Sequence, residues 1–123
     1  MGKFTCYMNC KNYVSEVKEF LAQFFEEEKG RYSHSEWVTF KIPKTNFVVN
    51  LMSGDDQLIT QNMTFEIECE SMKELENYAK KYDKKILDFL ATKVEKEYRF
   101  YYFEIPGPQN ICKIDISFSE DLD

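Results

Sequence analysis

Between Met63 and Glu70 the chain alternates strictly, with Met63, Phe65, Ile67 and Cys69 apolar and Thr64, Glu66, Glu68 and Glu70 polar. That is the period of a strand with one buried face. Ser71-Met-Lys-Glu74 has the form of a capping box, and Met72, Leu75, Tyr78, Ala79 and Tyr82 recur at helical spacing, so a helix follows the strand directly. The aromatic run from Tyr98 to Ile105 predicts another strand, Pro106-Gly-Pro108 a turn, and Ile111 to Phe118 a closing strand with Ile114, Ile116 and Phe118 inward. Lys84 to Thr92 fits a strand. A third helix over Lys85 to Tyr98 fits too, since Ile86, Leu87, Phe89, Leu90 and Val94 also fall at helical spacing.

The first half repeats this pattern more loosely. Phe4, Cys6, Met8 and Cys10 alternate with Thr5, Tyr7 and Asn9, and a helix after Asn12 carries Val14, Val17, Phe20, Leu21, Phe24 and Phe25 on one side. Glu26-Glu-Glu28 forms its solvated end and Gly30 its stop, although acids there oppose the helix dipole. Glu36 to Ile42 and Phe47 to Met52 read as a hairpin turned by Pro43-Lys-Thr-Asn46, and Gly54 through Asn62 as a polar connection. Laid over each other, the opening strands match Thr5 to Thr64 and Cys10 to Cys69. The closing strands match Val49 to Ile114, Asn50 to Asp115 and Leu51 to Ile116. The expectation is one α+β domain over residues 1–123, built from two βαβββ units (about 3–53 and 63–118) that form a curved mixed sheet with the helices on its outer face.

Composition narrows the partners. A chain of 123 residues supports a single core, and its 16% aromatic content, eleven Phe and eight Tyr, argues for packed strands despite 31% charged residues. The net charge of -6 repels phosphate backbones and anionic lipids, so neither nucleic acid nor membrane is an expected partner. No apolar run reaches the ~20 residues of a membrane span, and Met-Gly-Lys-Phe lacks a signal peptide's apolar core, which makes the cytoplasm the expected compartment. Cys6, Cys10, Cys69 and Cys112 fall within predicted strands and lack zinc spacing; they read as small buried hydrophobes. The sequon Asn62-Met-Thr64 has no secretion signal beside it, and the lone histidine, His34, sits in the polar stretch Ser33-His-Ser35, where it reads as a loop residue.

Two such units in one chain, with Phe100-Tyr-Tyr-Phe-Glu-Ile-Pro-Gly-Pro-Gln-Asn110 followed by Lys113-Ile-Asp-Ile116, resemble the vicinal oxygen chelate superfamily of glyoxalases, extradiol dioxygenases and bleomycin resistance proteins. The sequence departs from that family's pattern at the turn, where Ile105-Pro-Gly-Pro-Gln replaces Asp-Pro-Asp-Gly, and at Asp83, where a glycine is common. The resemblance implies a homodimer, and it implies that a metal, where one is held, is bound from the first and last strands of each unit. Those positions are Thr5, Asn50, Thr64 and Asp115 here. One carboxylate with no imidazole binds a transition metal poorly, so neither metal nor other cofactor is expected.

If the faces opposite the helices line a cup, as in the resembled fold, its walls are Tyr7, Asn9, Trp37, Met52, Phe100 and Tyr102, with Asn50, Thr64, Glu66 and Asp115 as polar groups. Such walls suit a flat apolar small molecule, neutral or cationic, because Glu66, Glu68 and Asp115 are negative and no arginine is placed to pair an anion. The expected function is metal-independent small-molecule binding. An atypical lyase or dioxygenase-like enzyme, and an interaction domain whose side chains fill the cup, stand as alternatives; no nucleophile elbow, phosphate loop or Cys–His signature argues for catalysis.

Overall fold

The computed structural model describes residues 2–28, 37–55 and 57–122, so Gly30, His34 and Glu36 lie outside the described residues. Among the described residues the order is β1 (Phe4–Asn9), α1 (Val14–Leu21), β2 (Glu26–Glu27), β3 (Trp37–Lys41), β4 (Phe47–Met52), β5 (Met63–Glu68), α2 (Met72–Lys81), β6 (Leu87–Lys93), β7 (Lys96–Pro106) and β8 (Cys112–Asp121). This is the twice-repeated βαβββ order of an α+β fold, with the strands in two four-stranded sheets. Two compact units result, Met1–Met63 with Gly107–Cys112, and Thr64–Pro106 with Lys113–Asp123.

In the first unit the strand order is β1-β4-β3-β2, with β1 parallel to β4 and the other pairs antiparallel. A parallel pair needs a long crossover, and α1 supplies part of it. The helix packs against β3 and β4 and buries Val14, Val17 and Leu21 on the side of the sheet that carries Met8, Val38, Phe40, Val49 and Leu51, all buried. Each such side chain contributes roughly 1.5–3 kcal/mol by leaving water.

The helix is shorter than its apolar spacing predicts. It stops at Leu21, and Phe24 and Phe25 lie beyond it. Glu26 and Glu27, expected on the helix end, form β2 instead, paired with Lys41 and Phe40, and Glu28 N–H donates to Thr39 C=O at 2.8 Å. Three acids at a helix C-terminus are repelled by its dipole, whereas the open edge of β3 offers backbone partners. Gly107, in the 3₁₀ turn region of this unit, is required by close approach. A Cβ there would stand 2.5 Å from Cys112 O and 2.9 Å from Phe20 Cε2.

The second unit repeats the design with the order β5-β8-β7-β6. Backbone bonds show the equivalence directly. Phe4 N–H donates to Asn46 C=O and Cys10 N–H to Met52 C=O, while Met63 N–H donates to Ile111 C=O and Cys69 N–H to Ser117 C=O. Both pairs advance in the same direction, so β5 and β8 run parallel as β1 and β4 do. Thr5 thereby corresponds to Thr64 and Asn50 to Asp115, as the alternation predicts. Cys10 and Cys69 sit one residue past their strands rather than inside them.

The capping box forms as read. Ser71 Oγ accepts from Glu74 N at 3.2 Å, while Glu74 Oε2 accepts from Glu70 N at 2.9 Å. At its other end α2 closes in a Schellman motif, with Asp83 N–H donating to Lys80 C=O, Lys84 N–H donating to Ala79 C=O, and Asp83 at φ 52°. The third-helix alternative over Lys85 to Tyr98 does not occur. Those residues form the β6–β7 hairpin, in register from Leu87 opposite Tyr102 to Lys93 opposite Lys96, because alternate residues then bring Phe89 onto Phe100 as a cross-strand pair.

The tip of that hairpin holds Val94 at φ 52° and Glu95 at φ 62°, the positive angles of a type I′ turn that favours Asn-Gly. A β-branched residue there is strained, and Val94 is 85% exposed with nothing to offset it. Val94→Asn with Glu95→Gly is therefore expected to stabilise the protein by about 1–2 kcal/mol, read as a rise in the urea midpoint at unchanged m-value.

Candidate functional site

Strand register decides which side chains share a face. In the second unit Tyr102 lies opposite Leu87 and Ser117, Phe100 opposite Phe89 and Ser119, and Glu104 opposite Asp115, so these residues occupy the face away from Phe103, Ile105, Ile114 and Ile116, which are buried. Thr64 and Glu66 join it from β5, and Ser117 Oγ donates to Glu66 Oε2 at 2.7 Å. On this face Phe89 packs on Phe100 (5.2 Å between centroids) and on Tyr102 (5.8 Å), and Phe100 stacks on Tyr102 at 5.8 Å and 29°. The three rings form a platform, and Phe89 is 47% exposed.

The register brings a cation into this acidic face that the sequence reading missed. Lys113 Nζ lies 2.5 Å from Glu104 Oε1 and 3.4 Å from Asp115 Oδ1. The hydrogen bond to Glu104, then the charge of Asp115, raises its pKa above the usual ammonium value. Alternation alone could have found it: Lys113 is two residues before Asp115 and so on the same face. Phe89 and Leu87 were missed because the third-helix alternative left their facing open.

In the first unit the helix-free face carries Thr5, Tyr7, Trp37, Thr39, Asn50 and Met52. Tyr7 and Trp37 meet edge to face at 5.9 Å, with Tyr7 56% exposed. Asn50 is buried, and its Oδ1 accepts from the Thr39 hydroxyl. Asn9, expected as a wall of the cup, has its side-chain amide engaged within the fold. Its Nδ2 donates to the carbonyls of Gly54 (2.9 Å), Gln57 (3.1 Å) and Leu58 (3.1 Å), and its Oδ1 accepts from Gly54 N (3.0 Å) and Lys11 N (3.1 Å). A buried amide with both ends engaged is a fastener for the 53–60 connection, which side-chain type alone could not reveal.

The four metal positions of the resembled fold do not suit a metal here. Asn50 is committed to Thr39, Asp115 stands beside the Lys113 ammonium, and Thr5 and Thr64 are exposed hydroxyls. Among the described residues no group of three His, Cys, Asp or Glu side chains is placed to hold an ion. Burial raises the thiol pKa of Cys10 to about 12 and of Cys69 and Cys112 to about 11; a neighbouring Cys112 adds to the effect at Cys10, and Glu74 at Cys69. Such thiols are poor nucleophiles near neutral pH. No helix among the described residues is long and apolar enough to cross a membrane.

No protein-family model matches the sequence, and no curated protein matches it. Solved structures do. The chain is similar to lactoylglutathione lyase from Agrobacterium tumefaciens (TM-score 0.54, 10% identity, covering 96% of this chain and 92% of that one). It is similar to TnmS3, an antibiotic binding protein from Streptomyces sp. CB03234 (0.54, 7%, 96% and 95%). It is also similar to a glyoxalase/bleomycin resistance protein from Catenulispora acidiphila (0.53, 8%, 96% and 98%). At these identities the likeness is one of fold, and it extends over nearly the whole chain.

Asn9→Ala is expected to cost about 2–3 kcal/mol, since it strands several backbone groups of the connection, and to leave ligand affinity unchanged; urea unfolding and a binding titration check the two halves. With a disulfide-exchange reagent at pH 8, the native protein should react readily at Cys6 alone and the unfolded protein at all four thiols. The folded state holds the protons of Cys10, Cys69 and Cys112 more tightly than the ordinary 9.0. Their contribution is therefore complete below pH 9 and falls as pH rises toward 11–12, visible as a declining unfolding midpoint.

Proposed function

On the paired βαβββ fold of the vicinal oxygen chelate superfamily, we propose that this protein is a metal-independent binder of small molecules. The observation that carries the reading is the ring platform of Phe89, Phe100 and Tyr102 on a helix-free face, flanked by Glu66, Glu104 and Asp115. Aromatic faces left partly open beside a few polar groups suit a flat apolar body, and the carboxylates favour a neutral or cationic one. The antibiotic-binding and bleomycin-resistance functions named for proteins of similar fold support the same reading.

Thr5, Asn50, Thr64 and Asp115 are a donor set poorly suited to a transition metal, which supports metal independence. Thr64 and Glu66 would orient polar groups at the β5 edge of the platform, with Ser117 fixing the Glu66 carboxylate. Tyr7, Trp37, Asn50 and Met52 form the corresponding face of the first unit, where Trp37 occupies the register position of Tyr102.

The test is fluorescence titration with a planar cationic probe such as proflavine. Phe100→Ala and Tyr102→Ala should each weaken binding roughly 5- to 30-fold, the equivalent of about 1–2 kcal/mol. Phe4→Ala, which removes a ring stacked on Phe47 in the first unit, should leave it unchanged. Equal affinities across the three variants would overturn the platform, and elemental analysis showing about one transition metal per chain would overturn metal independence.

A further inference from the structure

The platform has a second end. A recess of about 340 Å³ in the second unit is bordered by Lys84, Lys85, Leu87, Tyr102, Phe103 and Glu104. Leu87 and Tyr102 are cross-strand partners on the platform face, so the recess and the stacked rings share Tyr102 as a common wall. Extending the β6–β7 register by two residues places Lys85 beside Glu104 on that same face.

Glu104 does not neutralise Lys85. Its carboxylate is held by Lys113, which Asp115 also approaches. Neither Lys84 nor Lys85 forms an ion pair with any described residue. The pair also lies outside the helix. Lys80 and Lys81 occupy the last turn of α2, where they complement its dipole, whereas Lys84 and Lys85 follow the Schellman closure, whose Lys84 N–H bond to Ala79 C=O fixes where the chain leaves the helix. Two lysines without an ion pair to any described residue thus border a recess of mixed polar and apolar lining, in a protein of net charge -6.

We propose that this recess is a subsite for a single anionic substituent, a carboxylate or sulfonate, on an aromatic ligand whose ring system lies over Phe100 and Tyr102. The inference rests on the binding function proposed above and adds the class of ligand: a flat aromatic acid whose acidic end lies at the recess and whose neutral or basic end lies toward Glu66. It departs from the expectation of a neutral or cationic ligand, which rested on Glu66, Glu68 and Asp115 and on the lack of a placed arginine, at this one end of the platform. Lysine pairs a lone carboxylate as a point charge and needs no bidentate geometry.

The experiment compares 2-naphthoate with its neutral analogue 2-naphthylmethanol on the full chain, using wild-type protein, the Lys84→Gln/Lys85→Gln double variant, Lys73→Gln on the exposed side of α2 as a charge control, and Phe100→Ala. The double variant should bind naphthoate about 5-fold more weakly, the scale of two exposed charge pairs, and the alcohol as wild-type does. Lys73→Gln should change neither, and added NaCl should weaken naphthoate alone. Absence of naphthoate binding by wild-type, an unchanged naphthoate affinity in the double variant, or a parallel loss for both probes would overturn the subsite. Failure of the platform reading shows separately, as a naphthylmethanol affinity that Phe100→Ala leaves unaltered.

Discussion

Each unit depends on the parallel pairing of its first strand with its last. β1 against β4, and β5 against β8, bring together residues separated by the whole of the unit. The entropy of closing such a loop grows only slowly with its length, but it must be met before the inner strands can add to the sheet. The contacts that meet it are the apolar ones beneath α1, where Val17 and Leu21 are buried on the side of Val38, Phe40 and Leu51, together with Leu75, Ala79, Ile114 and Ile116 in the second unit.

The same ladders that place these side chains under the helices place their neighbours on the opposite face. Period-two alternation means that Ile114 and Ile116 inward require Asp115 outward, and Phe103 inward requires Tyr102 and Glu104 outward. The candidate site is therefore a consequence of how the core is built. What differs between the units is the chemistry at equivalent positions. Thr39 and Asn50 satisfy each other in the first, while Glu104 and Asp115 share Lys113 in the second. The first arrangement is neutral and closed; the second leaves a charged rim beside open rings.

Lys113 organises that rim. By drawing Glu104 and Asp115 to one ammonium it relieves their mutual repulsion. A face that composition describes only as acidic is thus divided, with Glu66 and Asp115 toward β5 and β8 and, by extension of the register, Lys85 just ahead of β6. Charge placement of this kind selects ligands by their ends, and the rings between supply most of the contact area.

Alternation and capping chemistry in the sequence determined the two-unit plan: the strand at Met63, the capping box at Ser71 and Glu74, and the correspondence of Asn50 with Asp115 all follow from local pattern, since burial on one face imposes its period on the residues. They also placed Tyr7, Trp37, Phe100 and Tyr102 on helix-free faces. Tertiary structure decided the rest. The end of α1 at Leu21 depended on a β3 edge able to accept Glu26 and Glu27. The choice of hairpin over helix for Leu87 to Lys96 depended on β7, because both periods fit those residues and only Phe100 and Tyr102 across the ladder distinguish them. Asn9 became a fastener, and Lys113 the centre of an ion cluster, because their partners, Gly54 to Leu58 in one case and Glu104 in the other, are distant from them in sequence or reached only across strands, and no local pattern records which polar groups a fold will bring into hydrogen-bonding distance.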